Sequence, residues 1–427
     1  MGTNRVIHRR RLLQELGKAV AVAAVAPSVL GLAGHGSQVV ELYEASPGDV
    51  GMSAERLDDV FARISRRVND NLFPGATAMV VRQGAIVGHR AFGTKVRGAD
   101  EPVTLDTLFD VQSMTKVLST AIVAMVLADR GVIRFDEPVV KYLPDFAANG
   151  KAAVTIRDML RYSAGLPLDN QHLDNPDDAQ VWQLMAHTPL EYTPGSAVLY
   201  SDLTYRLLGR ALEAAAGMNL DAFAREAVWG PLGMNDTMYD PPASIQSRIA
   251  ATGYSERRGY VIRGEVQDEQ DFALGGITGC DGVFTTARDV AIFCQMILNR
   301  GRYSGERVLS AHLAREMVKN QTPHADATQT DQSPLTNLLQ TPKGFGWEKW
   351  TRRFSNGGMR LSPQSFGKAG GAGTFMWIDP ERELIGVLLT NHGLPVPFDE
   401  IGWNRMLDDV GCGEFFDGIV NAIVDDD

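Results

Sequence analysis

Ser113 and Lys116 stand three residues apart in FDVQSMTKVLSTAIVAMVLADRG, residues 109–131, at the mouth of an otherwise apolar run. A free serine hydroxyl is a feeble nucleophile at neutral pH, so a serine that forms a covalent intermediate needs a neighbour to take its proton. One arrangement is the strand–G-x-S-x-G–helix elbow, and this sequence contains no G-x-S-x-G. The other is S-x-x-K. If Ser113 opens a helix, Lys116 lies one turn on and on the same face. The helix N-terminus then favours negative charge on the serine oxygen and offers a backbone N–H to an oxyanion. Val117, Leu118, Ile122, Val123, Val126 and Leu127 predict a helix buried nearly all round. A lysine at its edge is expected to be desolvated, which lowers its pKa towards that of a usable base. The competing reading is a serine helix cap and a lysine that snorkels to solvent.

S-x-x-K alone is a weak pattern, because SFGK at Ser365–Lys368 matches it too. Gly367 and the AGGAG that follows suit a strand, so this second match reads as a decoy nucleophile. The downstream residues separate the two. Tyr200-Ser201-Asp202 and Lys368-Ala369-Gly370-Gly371 follow Ser113 and Lys116 in that order. S-x-x-K, Y-S-D and K-A-G at these spacings resemble the serine β-lactamase and penicillin-binding-protein superfamily, over most of the chain from about residue 52 to 395. TIRDMLRYSAGLP is similar to that family's LLTHTSGLP. Within the superfamily the sequence looks closest to class C-like esterases and peptidases, including family VIII carboxylesterases.

The resemblance implies that Ser113 is acylated, that Lys116 is its general base and that Tyr200 relays the proton. A tyrosine in that role is either shifted down in pKa or acts as a relay. Its competing reading is a half-buried tyrosine ahead of a helix. The K-A-G segment would be the strand along which substrate lies, with Gly370 allowing close approach. The Gly371 N–H would pair with that of Ser113 as the oxyanion hole. Lys368 would supply positive charge to a substrate carboxylate or to Tyr200, against the competing reading of a solvated strand lysine. Asp202 stands where β-lactamases usually have asparagine; an ionised carboxylate only accepts hydrogen bonds, repels an anionic substrate and could pair with Lys116 or Lys368. Ala369 replaces a hydroxyl residue that helps many relatives bind a carboxylate. Both departures weaken a β-lactamase reading and leave ester or amide hydrolysis intact. The expected function is therefore a serine ester hydrolase acting on a small-molecule ester or peptide. The alternatives are a D-alanyl-D-alanine carboxypeptidase or cell-wall peptidase, a weak β-lactamase, an acyltransferase and, from another class, a non-catalytic ligand-binding relative.

The elements that must hold these residues follow from periodicity. SAERLDDVFARISRRVNDNL from Ser53 reads as a capped amphipathic helix with Leu57, Val60, Phe61, Ile64 and Val68 on one face. PGATAMVVRQGAIVGHRAFG reads as two strands joined at Gln83-Gly84. Helical patterns dominate residues 132–260, and TARDVAIFCQMILNRG adds another helix closed by Gly301. Strand patterns return at SFGKAGG, GTFMWIDP and ELIGVLLTN before a last helix, GEFFDGIVNAIVDD. Residues 319–345 read as a long polar loop, with Trp347 either a pocket wall or a core residue. The predicted fold class is α+β, an antiparallel β-sheet flanked by helices with an inserted all-helical subdomain. One catalytic domain is expected over 45–427, its sheet region at about 50–105 and 280–427 and its helical region at about 110–260.

A net charge of −11 argues against nucleic-acid binding, which needs a basic surface. Cys280, Cys294 and Cys412 are too few and scattered for a disulfide framework or zinc site, and they read as small buried hydrophobes. No nucleotide or metal motif is present, so no cofactor is implied. Residues 1–36 combine Arg9, Arg10, Leu12 and Leu13 with an apolar stretch from Ala19 to Gly34, the order of a twin-arginine export signal. Pro27 and the Ala- and Gly-rich composition argue against a stable membrane anchor. Export to the periplasm or medium is expected, with a cytoplasmic helix as the alternative. The sequence carries no sign of oligomeric state.

Overall fold

Strands from both ends of the chain build one sheet. The computed structural model describes residues 39–175, 177–323, 340–352, 355–395 and 399–424, which belong to one compact unit, Gln38–Asp427. The predicted export segment and most of the 319–345 loop, residues 324–339, lie outside the described residues. The sheet has seven strands: β1 (Tyr43–Glu44), β2 (Gly75–Arg82), β3 (Ala85–Gly93), β4 (Glu348–Lys349), β5 (Phe366–Gly370), β6 (Thr374–Asp379) and β7 (Leu384–Thr390), in the order β1-β3-β2-β7-β6-β5-β4. All neighbours are antiparallel except the edge strand β1, which runs parallel to β3. Gln83 and Gly84 both take positive φ, 53° and 80°, the two-residue turn that matches strand twist.

Side chains alternate across the sheet and serve two cores. On β2, Met79 and Val81 join the larger core with the helical region, whereas Ala78 and Val80 join a second core on the opposite face. On β6, Met376 and Ile378 face the first and Phe375 and Trp377 the second. Burial on both faces explains the nearly continuous apolar runs of these strands. The second core is closed by α1 (Ala54–Asn69), capped by Ser53 and buried through Leu57, Val60, Phe61 and Ile64. Two C-terminal helices, Glu400–Val410 and Cys412–Asn421, complete it, the first of them absent from the sequence-based expectation. Trp347 is a core residue, stacked 6.3 Å from Phe293 and edge-on 5.0 Å from Phe366. Among the described residues no helix is long and apolar enough to cross a membrane.

The segment after Ser113 departs from a plain α-helix. Gln112–Met114 is a 3₁₀ turn, Lys116–Ala121 is π-helical, and α2 (Ile122–Asp129) follows. Tight first turns and single π turns are the ways a helix re-aims side chains at a site. A small sheet fixes its start: Phe109–Asp110 pairs with Val283–Thr285, which pairs with Met238–Tyr239. The hydroxyl of Thr120 donates to Gly279 O at 2.7 Å, and Val283 N donates to Thr115 Oγ1 at 3.1 Å. These bonds lay residues 279–283 along the 3₁₀–π stretch.

A buried guanidinium ties the helical region together. Arg206, on α3 (Asp202–Ala216), is fully buried. Its Nε and Nη2 donate to Asp271 at 2.8 and 3.0 Å, Nη2 also to Asp268 at 2.9 Å, and Nη1 to Asp169. Removing one partner of such a network leaves uncompensated buried charge, and Arg206→Met is expected to destabilise the protein by about 3–5 kcal/mol. Urea unfolding measures this, and a variant as stable as wild type contradicts it.

Candidate active site

Three segments converge on Ser113. Gln112 adopts a left-handed φ of 42°, a conformation that costs a non-glycine residue about 1–3 kcal/mol. Buried Asp110 compensates: its carboxylate accepts from Gln112 N at 3.0 Å and from Gln267 N at 2.8 Å. Burial pushes the Asp110 carboxyl up to about 6. The strained turn delivers Ser113 to a cleft also lined by Tyr200, Asp202, Lys368 and Gly371, with Leu168 and Trp403 as apolar walls.

Tyr200 and Asp202 flank Ser201, the N-cap of α3. The Ser201 hydroxyl accepts from Thr204 N at 2.9 Å and donates to Pro167 O at 2.6 Å, which fixes its neighbours on either side. Tyr200 OH donates to Ser113 Oγ at 2.7 Å, and Lys116 Nζ donates to the same oxygen at 2.8 Å. Lys116 Nζ also lies 2.8 Å from Asp202 Oδ1 and 2.9 Å from Cys280 Sγ. With Cys280 O at 3.5 Å, four polar atoms from three residues surround the ammonium. Asp281 Oδ1 stands further off, at 3.8 Å.

The charge state of Lys116 corrects the sequence-based expectation. The residue is fully buried, and burial by itself lowers its pKa. Asp202, with smaller contributions from Cys280, Tyr200 and Asp281, outweighs burial and holds the pKa well above the ordinary lysine value. Lys116 is therefore an ammonium in the resting site. Asp202 is kept below the usual carboxylate range despite its own burial, through Lys116 and Arg206. Burial drives the Tyr200 phenol well above its ordinary value against the pull of Lys116. That direction keeps the Tyr200 hydroxyl protonated at rest.

Lys368 sits on β5 and is not solvated. Its Nζ is 4.5 Å from the centroid of the Tyr200 ring, on which Lys116 also bears at 5.0 Å. Its partner is a residue the sequence reading passed over: Glu348 on β4, with Oε1 at 2.8 Å. Burial lowers the Lys368 pKa in spite of Glu348. Lys343, also missed, is buried nearby and is pushed down to about 7 by burial and by Lys368. Gly371 faces the cleft beside the nucleophile turn: a Cβ there would lie 2.6 Å from Leu394 Cδ1 and 2.8 Å from Gln112 Oε1. Gly370 does not line the cleft; a Cβ on it would meet Val111 O at 2.3 Å, so its bareness lets β5 close on the strand before Ser113. Ser365, the decoy, is buried against Ser362 at the start of the same strand. Glu348 and Cys280 lie in FGWEKW and ITGCDGVF, where an acid or thiol amid apolar residues was the available signal.

Residues 60–410 match the β-lactamase family model, and the chain belongs to this family of serine hydrolases. It is 31% identical over 390 residues to a protein of Escherichia coli strain K12 named "Putative D-alanyl-D-alanine carboxypeptidase", covering 82% of this chain and 85% of that one. In fold it is similar to a family VIII carboxylesterase, with a TM-score of 0.62 and 22% identity over 85% of this chain and 99% of the other. The D-alanine carboxypeptidase AmpC from Burkholderia cenocepacia gives 0.62 and 20% over 83% and 99%.

Neutralising Asp202 removes the largest interaction that raises the Lys116 pKa while the lowering effect of burial remains. If kcat/KM rises with proton loss from the Lys116–Tyr200 pair, that rise should move to lower pH in Asp202→Asn. A pH–rate profile on a p-nitrophenyl ester measures it, and a limb that stays put or moves up would count against this electrostatic assignment.

Proposed function

We propose that this protein is a serine ester hydrolase working through an acyl-Ser113 intermediate. The observation that carries the reading is Ser113 Oγ held between Tyr200 OH at 2.7 Å and Lys116 Nζ at 2.8 Å at the wall of a cleft. Loss of one proton from the Tyr200–Lys116 pair leaves a base beside the serine; Ser113 Oγ then attacks the substrate carbonyl as its proton moves to that base and on to the leaving group. Because Lys116 rests as an ammonium, its first contribution is charge: a cation at this distance stabilises the forming alkoxide. The backbone N–H groups of Ser113 and Gly371 hold the oxyanion, a role supported by the approach of Gly371 to Gln112. Water then attacks the acyl-enzyme, the proton retraces its path, and acid and enzyme separate.

The cleft chemistry favours an ester over a carboxylate-terminated peptide. Lys368 is paired with Glu348, Ala369 carries no hydroxyl, and Asp202 stands beside the nucleophile. The name of the Escherichia coli relative supports a second reading, a D-alanyl-D-alanine carboxypeptidase. The twin-arginine-like residues Arg9 and Arg10 support an exported enzyme under either reading.

Side-by-side assays with a short-chain p-nitrophenyl ester, a chromogenic cephalosporin and a D-Ala-D-Ala peptide separate these readings. Ester turnover should dominate and should fall by about 10⁴-fold in Ser113→Ala. Undiminished ester turnover in that variant overturns the mechanism, and fast peptide cleavage with little ester turnover favours the carboxypeptidase.

A further inference from the structure

Lys368 is the one cation among the described residues lining the cleft, which Asp169, Asp202, Asp268, Asp281 and Glu348 also line. Binding an anionic group there requires a cation whose charge is not already matched. The charge of Lys368 is matched. Its Nζ lies 2.8 Å from Glu348 Oε1, and the two side chains are only 1% and 5% exposed. Glu348 is itself fixed: Oε2 accepts from Asn356 Nδ2 at 3.2 Å, and the residue sits opposite Gly367 in the β4–β5 ladder. Swinging the carboxylate away would break both side-chain contacts and leave a buried charge without its partner.

We infer that Glu348 sets the charge class of the substrate: by occupying Lys368 it restricts the cleft to acyl compounds with no carboxylate beside the scissile bond. Glu348 acts through Lys368 and is a positioning residue. The inference rests on the ester-hydrolase reading of Ser113 and deepens it.

N-benzoylglycyl thioglycolate and its methyl ester differ by one carboxylate on the leaving group, so the ratio of their kcat/KM values, followed by thiol release, reads charge selection directly. Wild type should favour the methyl ester. Glu348→Gln should move the ratio towards the carboxylate by about tenfold or more, because the substrate carboxylate can then take the place of Glu348 as the partner that holds the proton on Lys368. A folded Glu348→Gln enzyme with the wild-type ratio overturns the inference and leaves Ser113 hydrolysis standing. Should that variant not fold, Glu348→Gln/Lys343→Gln carries one buried lysine fewer and supports the same comparison. Calorimetric binding of N-benzoylglycylglycine against its C-terminal amide, in Ser113→Ala with and without Glu348→Gln, needs no turnover. The free acid preferred only in the double variant supports the assignment, and the same preference in both overturns it. Absence of thioester turnover in wild type thus counts against the hydrolase reading alone.

Discussion

The ammonium of Lys116 is the constraint around which the site is built. A lysine so deeply buried would shed its proton in an apolar pocket. Here Asp202 at 2.8 Å and smaller contributions from other groups together outweigh burial, and Ser113 and Cys280 also lie within reach of the ammonium. Those three partners come from a 3₁₀ turn, the first residue of α3 and a loop about 160 residues downstream of Lys116. The register of the small sheet Phe109–Asp110/Val283–Thr285 is therefore not a detail. Shifting it by one residue would move Cys280 and Asp281 away from Lys116, because adjacent strand residues point to opposite faces.

A second charge group faces the first across Tyr200. Lys343, Glu348 and Lys368 place one carboxylate among two buried lysines, and Lys368 and Lys116 both bear on the tyrosine ring. The ring also stacks on Tyr162 at 5.0 Å. Burial keeps the phenol protonated at rest against the pull of Lys116. The site thus holds its hydrogen-bond donors in place before any ligand arrives. Packing serves the same end: the bareness of Gly370 lets β5 approach Val111, and this contact sets the distance between the K-A-G strand and the nucleophile turn.

Much of this was legible along the chain. Strand alternation in GATAMVVR and ELIGVLLTN, the helix after Ser53 and the Gln83-Gly84 turn depend on neighbours within a few residues, and the structure follows them. Ser113, Lys116 and Tyr200 were legible as residue types in order, and Asp202 was read as a partner of Lys116 or Lys368, of which the structure chooses Lys116. The helix Glu400–Val410 and the parallel pairing of β1 were not seen; β1 is too short to show a period, and its direction is set by β3.

By itself the sequence determined that a serine and a lysine share one face of a buried segment, and that strands at both ends of the chain close one sheet. Both are consequences of local periodicity, which each residue carries with it. Tertiary structure alone decided the charge on Lys116, the protonation of Tyr200 and the occupation of Lys368 by Glu348. Those properties are sums of burial and Coulomb interaction over residues far apart in sequence. Their signs depend on distances of a few ångströms that no spacing along the chain encodes.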